Sequence, residues 1–576
     1  MTVSAPTLLP VPREIDVGPD TVDAVAPTVT IDPTLPAQGY TISISAARVA
    51  VVAADDPGAF YARMTLRQLA RVNDGRLPVG TVRDWPDLAT RGVMIDISRD
   101  KVPTTATLHA LIDRLAEWKI NHVELYAEHT FAYADHEVVW RDASPITPAE
   151  LDELDAYCRA RHVALVPNQN CLGHMNRWLL HAPYQSLAMD PDGYVMMGMR
   201  RPPSTIEPTN PDSLALVRTL LAELLPHFSD PRFVNVGLDE PWEMPAERFD
   251  DYLDWVRTLR ALPELDGREM VIWGDILAGH PDRHGELAHG VIVCEWGYDA
   301  GHPWSTRLEA LAAAGIPRWV APGTSSWLTI LGRTTNMRAD ITEAVDAALA
   351  HGGDGMLNTD WGDNGHLQYP AVSDPGLAFG AAMSWCADAN RSVDLATALS
   401  LHCYDDPSGE LGAIVVELGE VYLRLVPQVW NVASMVLHLY FPQLDVGRGP
   451  LAGAAIDQYD AIDADLDAVS ARLGTVASRR GDAALVVEEL RNSIALVAVL
   501  SADAKARLGV GGALANVGET ARLELATQLR PVITEHDRLW LLRNRPGGLR
   551  ESRAWLEHLL ECYESGVTDR AWSGPQ

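Results

Sequence analysis

Residues 233–243 read FVNVGLDEPWE. An apolar stretch runs straight into two adjacent carboxylates, Asp239 and Glu240, with Trp242 two positions further on. The approach has the character of a buried parallel strand rather than a wet loop. Strands of this kind recur along the chain: GVMIDIS (92–98), HVELYAE (122–128), VALVPNQ (163–169), MVIWGD (270–275), VIVCEW (291–296), RWVAPGT (318–324) and GMLNTDW (355–361). Helical segments separate them. TLHALIDRLAEWKI (107–120) places Leu108, Leu111, Ile112, Leu115 and Trp118 on one face, and 211–228 and 341–352 behave alike. Eight near-continuous apolar strands alternating with helices predict an α/β fold, a parallel sheet closed into a (β/α)₈ TIM barrel.

The flanks have a different texture. In GYTISISAARVAVVAAD (39–55) apolar and polar residues alternate as in strands, and GAFYARMTLRQLARV (58–72) has helical spacing. Residues 1–85 are therefore expected to form a small α+β domain and 86–400 the barrel. Beyond about residue 400 the strand signal stops. Segments 409–440, 453–474, 481–508, 518–543 and 549–565 read as amphipathic helices, and RNRPGG (543–548) as a turn. This predicts a helical C-terminal domain, 401–576. Its helices either cover a barrel edge or form a homodimer contact, and the sequence leaves both open.

A chain of 576 residues with a net charge of −32 is too long for one core. Its charge also argues against nucleic acid or an anionic membrane as partner. The six cysteines are scattered without a C-x-x-C pair, so a zinc site or a disulfide framework is not expected. No apolar run reaches membrane-spanning length. The first residues, MTVSAPTLLPVPREIDVG, lack the pattern of an export signal. The expectation is a reduced, cytoplasmic protein that needs no cofactor or metal.

Chemistry in this fold gathers at the C-terminal ends of the strands. Those ends carry Asp96 and Arg99; Glu124, Glu128 and His129; Asn168, Asn170 and His174; Asp239, Glu240 and Trp242; Trp273 and Asp275; Glu295 and Trp296; Trp327; and Asp360, Trp361 and Asp363. Carboxylates among tryptophans suit a sugar, because flat rings stack on pyranose C–H faces while polar groups take the hydroxyls. Ordinary glycosidases place two carboxylates on opposite sides of the scissile bond, which sequence neighbours cannot easily do. Neighbours suit another scheme. One acid protonates the leaving oxygen, and the other holds a 2-acetamido arm of the substrate whose carbonyl oxygen attacks the anomeric carbon.

These segments resemble glycoside hydrolase family 20, the β-N-acetylhexosaminidases. RGVMIDISRD (91–100) is similar to that family's R-G-x-x-L-D-x-S-R-H strand, and GAFYARMTLRQL (58–69) to its G-F-Y-G-x-x-T-L-x-Q-L. VNVGLDE is similar to H-I-G-G-D-E, CLGH (171–174) to P-G-H, and DWGD (360–363) to W-G-E. The resemblance implies an exo-acting retaining glycosidase that removes a terminal β-linked N-acetylhexosamine from a small glycan or glycoside. It implies that Arg91 binds O3 and O4 of the sugar, that Asp239 orients the acetamido group and that Glu240 is general acid, then base. Trp273, Trp296 and Trp361 would wall the acetamido pocket and Asp363 would hold a distal hydroxyl, with His174 and Trp327 also in the binding set. The chain departs from the pattern in four places, one of them the end of strand two, where ELYAEH (124–129) replaces W-H-L-x-D. Leu238 replaces the second glycine of G-G-D-E, Asn168 and Asn170 stand in the segment before Gly173, and APGTSSWLTI (321–330) has no match for the strand-seven tyrosine that donates to the acetamido carbonyl. A serine hydroxyl or Tyr298 would have to substitute.

Other readings compete. Adjacent acids also cap helices. Arg91 and Asp96 also read as a structural ion pair at the barrel floor, and His174 as a satisfied loop histidine. Glu124, Glu128, Asp239, Asp275 and Asp360 could form an oxygen-rich divalent site in a metal-dependent sugar enzyme. A glycosidase acting on sugars without the acetamido group, and a non-catalytic carbohydrate-binding protein, complete the alternatives.

Overall fold

A computed structural model describes residues 6–99, 101–196, 199–568 and 574. Asp100, the last residue of the 91–100 motif, lies outside them. The N-terminal domain is a five-stranded sheet of β1 (Glu14–Asp23), β2 (Thr28–Ile31), β3 (Tyr40–Ser45), β4 (Arg48–Ala53) and β5 (Arg76–Asp84), in the order β1-β5-β3-β4-β2. The helix Asp56–Arg71 covers one face. Asp55 caps its first turn, accepting from the Gly58 N–H, and Pro57 occupies a position where no N–H is needed. The sequence pattern found β3, β4 and this helix but not β1, β2 and β5. The four residues of β2, TVTI, are all exposed, and their alternation is a single short repeat with no buried side behind it.

All eight expected barrel strands are present: β6 (Thr90–Asp96), β7 (His122–Tyr126), β8 (Ala164–Val166), β11 (Phe233–Asn235), β12 (Glu269–Trp273), β13 (Val291–Trp296), β14 (Arg318–Ala321) and β15 (Gly355–Asp360). A hairpin, β9 (Tyr194–Met196) and β10 (Met199–Arg201), is inserted between β8 and β11. The parallel sheet runs β11-β12-β13-β14-β15-β6-β7-β8. A parallel bridge between Asn168 and Asn235 joins the two outer strands and closes the barrel. The helix Pro148–Arg159 shows why these helices start where they do. Thr147 and Glu150 satisfy each other's backbone N–H groups in a capping box.

The N-terminal domain packs under the barrel floor, the end where the strands begin. Lys119 and Asp84 form a fully buried pair at 2.8 Å, and the Trp385 indole donates to Asp84. The C-terminal helices pack at the opposite end, on the loops that follow the strands. Arg545 N–H donates to the Val102 carbonyl, Ala433 N–H to that of Leu328, and the Ser552 hydroxyl to that of Gly365. Buried Lys101 donates to the carbonyls of His366 and Gln368 and lies 5.2 Å above the Trp540 ring. Barrel and C-terminal helices share one continuous apolar core, whereas the N-terminal domain has its own.

The helices 456–472, 483–508, 519–543 and 549–565 match expectation closely. Segment 409–440 does not form one helix. It breaks into Glu410–Leu418 and short turns over 421–424 and 434–440. Gly419 weakens the helix after residue 418, and Pro427 lacks the N–H that a helix interior would need.

Candidate active site

The strand ends converge on a recess of about 340 Å³ lined by Arg99, Glu128, His174, Glu240, Trp242 and Asp363 among others. Glu240, after β11, lines it, and Asp239 lies next to Glu240 in the chain. His174 Nε2 lies 3.2 Å from Asp239 Oδ2 and 3.5 Å from Glu240 Oε2, so one imidazole spans both acids. Behind it, Nδ1 lies 3.7 Å from Glu128 Oε1 and 3.3 Å from an Arg99 nitrogen. Burial alone would lower the His174 pKa, but the facing carboxylates outweigh it and hold the imidazole well above its ordinary value. His174 is therefore no bland loop histidine.

The backbone here is unusual. His174, Leu238 and Glu240 all have positive φ, at 55°, 74° and 46°. Leu238 stands where a glycine would sit without strain. Its side chain is fully buried, and burial of a leucine, worth about 2–3 kcal/mol, exceeds a left-handed cost of about 1–2 kcal/mol. Gly173 is demanded by contact: a Cβ there would lie 2.2 Å from the Asp239 carbonyl oxygen. The His174 loop can thus press against the backbone of Asp239 and Glu240.

The two acids differ in setting. The Asp239 side chain is 9% exposed and that of Glu240 31%. Asp239 Oδ1 is buried with no hydrogen-bond partner among the described residues. Buried polar atoms without partners are rare, and here the natural partner is a ligand donor. Asp275 accepts the Glu240 N–H at 3.1 Å. Burial, then the Asp239 charge, raise its pKa to about 7.

The tryptophans assemble with Tyr298 at the end of β13. The Trp296 ring stacks on Tyr298 at 5.2 Å, Trp327 meets it edge-on at 5.0 Å, and the Trp361 indole donates to its hydroxyl at 2.8 Å. Trp273 packs against Trp361 at 6.2 Å. The indole N–H groups of Trp273 and Trp327 are buried without partners among the described residues. The two serines of 321–330 are engaged elsewhere. Ser325 accepts from Asn336, and Ser326 donates to Asp360. Of the two candidates for the missing hydroxyl, Tyr298 is the one in the aromatic cluster.

Arg91 is a correction. It is fully buried at the start of β6 and donates to the carbonyls of Leu88, Ala89 and Lys119 and to Gln38 and the Tyr61 hydroxyl. It braces the N-terminal domain against the barrel floor and does not reach the recess. Nor does it pair with Asp96. Asp96 lies at the other end of β6, where it accepts from Ser98, Arg99 and the Gly362 N–H. The arginine at the site is Arg99, 3.2 Å from Asp96, 3.3 Å from Asp363 and 3.7 Å from Glu128. Its position just past the strand end is the signal that pointed to it. Asp363 lines the recess as expected. Burial raises its pKa, and Arg99 opposes that.

The acids of the divalent-site reading do not converge. Glu124 is tied inside the barrel to His122, Asn168 and Asn235, and Asp360 accepts from Thr324, Ser326 and Ser373. Among the described residues no group of three or more His, Cys, Asp or Glu is placed to hold a metal ion.

Two family models match the chain. Residues 6–85 match the one described as glycosyl hydrolase family 20, domain 2, and residues 89–345 the one described as its catalytic domain. The chain belongs to glycoside hydrolase family 20. The family match takes in Asp239, Glu240 and the first seven barrel strands but stops before β15 and the C-terminal helices. A lacto-N-biosidase of Bifidobacterium bifidum is 24% identical over 288 residues, 46% of this chain and 24% of that protein. A beta-hexosaminidase of Akkermansia muciniphila is 29% identical over 173 residues, 26% of this chain and 34% of that protein. The chain thus spans about a quarter to a third of the length of these curated relatives. Among solved structures, a family 20 exo-β-N-acetylglucosaminidase from Vibrio harveyi in complex with N-acetylglucosamine superposes with a TM-score of 0.54 at 17% identity, covering 69% of this chain and 77% of that one. That likeness establishes the fold.

Proposed function

We propose that this family 20 protein is an exo-acting retaining β-N-acetylhexosaminidase that uses its substrate's 2-acetamido arm as the nucleophile. The observation carrying this reading is the buried, unpartnered Asp239 Oδ1 beside Glu240. An amide N–H is the donor that satisfies it. Accepting that bond orients the amide and supports the positive charge that grows on it. The acetamido carbonyl oxygen forms a bond to the anomeric carbon as the bond to the aglycone oxygen breaks. Glu240 gives its proton to that leaving oxygen. It then takes a proton from the water that opens the oxazolinium ion, restoring the β configuration.

The remaining side chains have matching tasks. Trp273, Trp296, Trp327 and Trp361 wall the methyl end of the arm. Tyr298, whose hydroxyl accepts from Trp361, keeps its own proton to donate to the amide oxygen. Arg99 and Asp363 bind the distal hydroxyls, and His174 couples the two acids to Glu128. None of the six buried cysteines is in a disulfide, which fits a reducing compartment, and we place the encounter with a small glycan in the cytoplasm. Among the described residues no helix is long and apolar enough to cross a membrane.

A panel of chromogenic β-glycosides, with and without the 2-acetamido group, tests this reading. Hydrolysis confined to the 2-acetamido sugars is expected, with Glu240→Gln slower by about 10²–10⁴ on a poor leaving group. Comparable rates on 2-hydroxy sugars would defeat the reading.

A further inference from the structure

Trp242 plays no part in the scheme above, yet it is 46% exposed two residues after the proposed acid. A lone exposed tryptophan needs no explanation. This one is not alone. Tyr194, on the hairpin inserted between β8 and β11, lies parallel to it, with planes 9° apart and ring centroids 6.0 Å apart. Both rings line the recess that holds Glu240, Arg99 and Asp363.

The pair is held in place. Glu243, next to Trp242, accepts the Ser204 N–H at 2.6 Å and the Ser204 hydroxyl at 3.1 Å, and also accepts from the Thr205 hydroxyl. It therefore clamps the chain leaving the hairpin to the chain leaving the catalytic strand. Met196, Pro202, Leu328 and, from the C-terminal helix 549–565, Trp555 add apolar surface to the same recess.

We infer that Trp242 and Tyr194 form an aglycone subsite, a platform for the pyranose on the leaving side of the scissile bond, so that the preferred substrate is a β-linked oligosaccharide rather than a simple glycoside. The chemistry is that of a C–H face on an aromatic ring, with the ring's polar rim left to water. The position follows from Glu240. The sugar whose oxygen receives its proton must lie beside it, on the open side of the recess, where Trp242 is. On this reading the terminal sugar lies on the other side of Glu240, toward Tyr298 and the other tryptophans. The inference rests on the proposed role of Glu240.

Calorimetry on the Glu240→Gln variant separates the two. It would be titrated with N-acetylglucosamine and with the β-1,4-linked disaccharide of the same sugar. The disaccharide is expected to bind about tenfold more tightly, in line with one stacking contact. Adding Trp242→Ala should abolish that advantage, and Trp242→Phe should retain most of it, with thermal melts confirming that both variants are folded. Binding of the single sugar without a disaccharide advantage, or an advantage that survives Trp242→Ala, would overturn the subsite. Failure of both sugars to bind would overturn the functional reading itself and the subsite with it.

Discussion

Asp275 is the residue whose titration bears most directly on stability. Its folded-state pKa of about 7 stands above an ordinary 3.8, raised by burial and then by Asp239. Between those values the folded protein holds a proton that the unfolded chain releases, so stability falls as pH rises from about 4 to about 7. Three pKa units correspond to about 4 kcal/mol. Asp275→Asn can still accept the Glu240 N–H but carries no charge. Chemical denaturation at several pH values should show the variant gaining on the wild type across that window. A constant difference from pH 4 to pH 7 would contradict the assignment. Arg91 and Arg99 make a second contrast. Arg99→Ala should lower kcat/KM for a 2-acetamido glycoside by about 10–100-fold, the worth of charge-assisted bonds to a sugar. Arg91→Ala should lower the melting temperature, with kcat and KM of the folded protein near those of wild type. Kinetic losses of equal size in both variants would place Arg91 back in the site.

At the scale of elements, the barrel was legible because buried parallel strands leave apolar runs of fixed length between amphipathic helices. All eight runs became strands, from β6 to β15. The position of chemistry along a strand was legible too, and it governs the arginine correction. Arg91 opens β6 and Arg99 follows its end, so the rule that barrel chemistry lies at C-terminal strand ends favoured Arg99 over the residue that motif position suggested. Less legible were features that depend on distant pairing. The strand β2 is four residues long and buries neither face, and the hairpin of β9 and β10 is only three residues a side. Nothing local says that Tyr194 will meet Trp242, because 48 residues of chain separate them. The indole of Trp361 on the hydroxyl of Tyr298 likewise joins the ends of β15 and β13, 63 residues apart in sequence and brought near only by the pairing of both strands with β14. The glycine at 173 is explained only by the Asp239 carbonyl lying against it.

For the whole molecule, the three sequence regions are not equally independent. The N-terminal domain has its own core and braces the barrel floor, whereas the C-terminal helices continue the barrel's core and sit on the rim loops. Expression of residues 1–400 alone should therefore give an aggregated or loosely packed product, since removing the helices bares the apolar surface they cover. A soluble 1–400 fragment that melts cooperatively near the temperature of the full chain would contradict this. The full molecule sets a buried acid, a more exposed acid and an aromatic cluster at the ends of the barrel strands, and the central claim is that the nucleophile is the substrate's own 2-acetamido group. The most direct measurement is the turnover of a series of aryl glycosides whose 2-acetamido methyl group carries zero to three fluorines, each fluorine making the amide oxygen a poorer nucleophile. A steep, graded fall in kcat/KM across the series is the expected result, and a flat series would show that the bond to the anomeric carbon is made by something else.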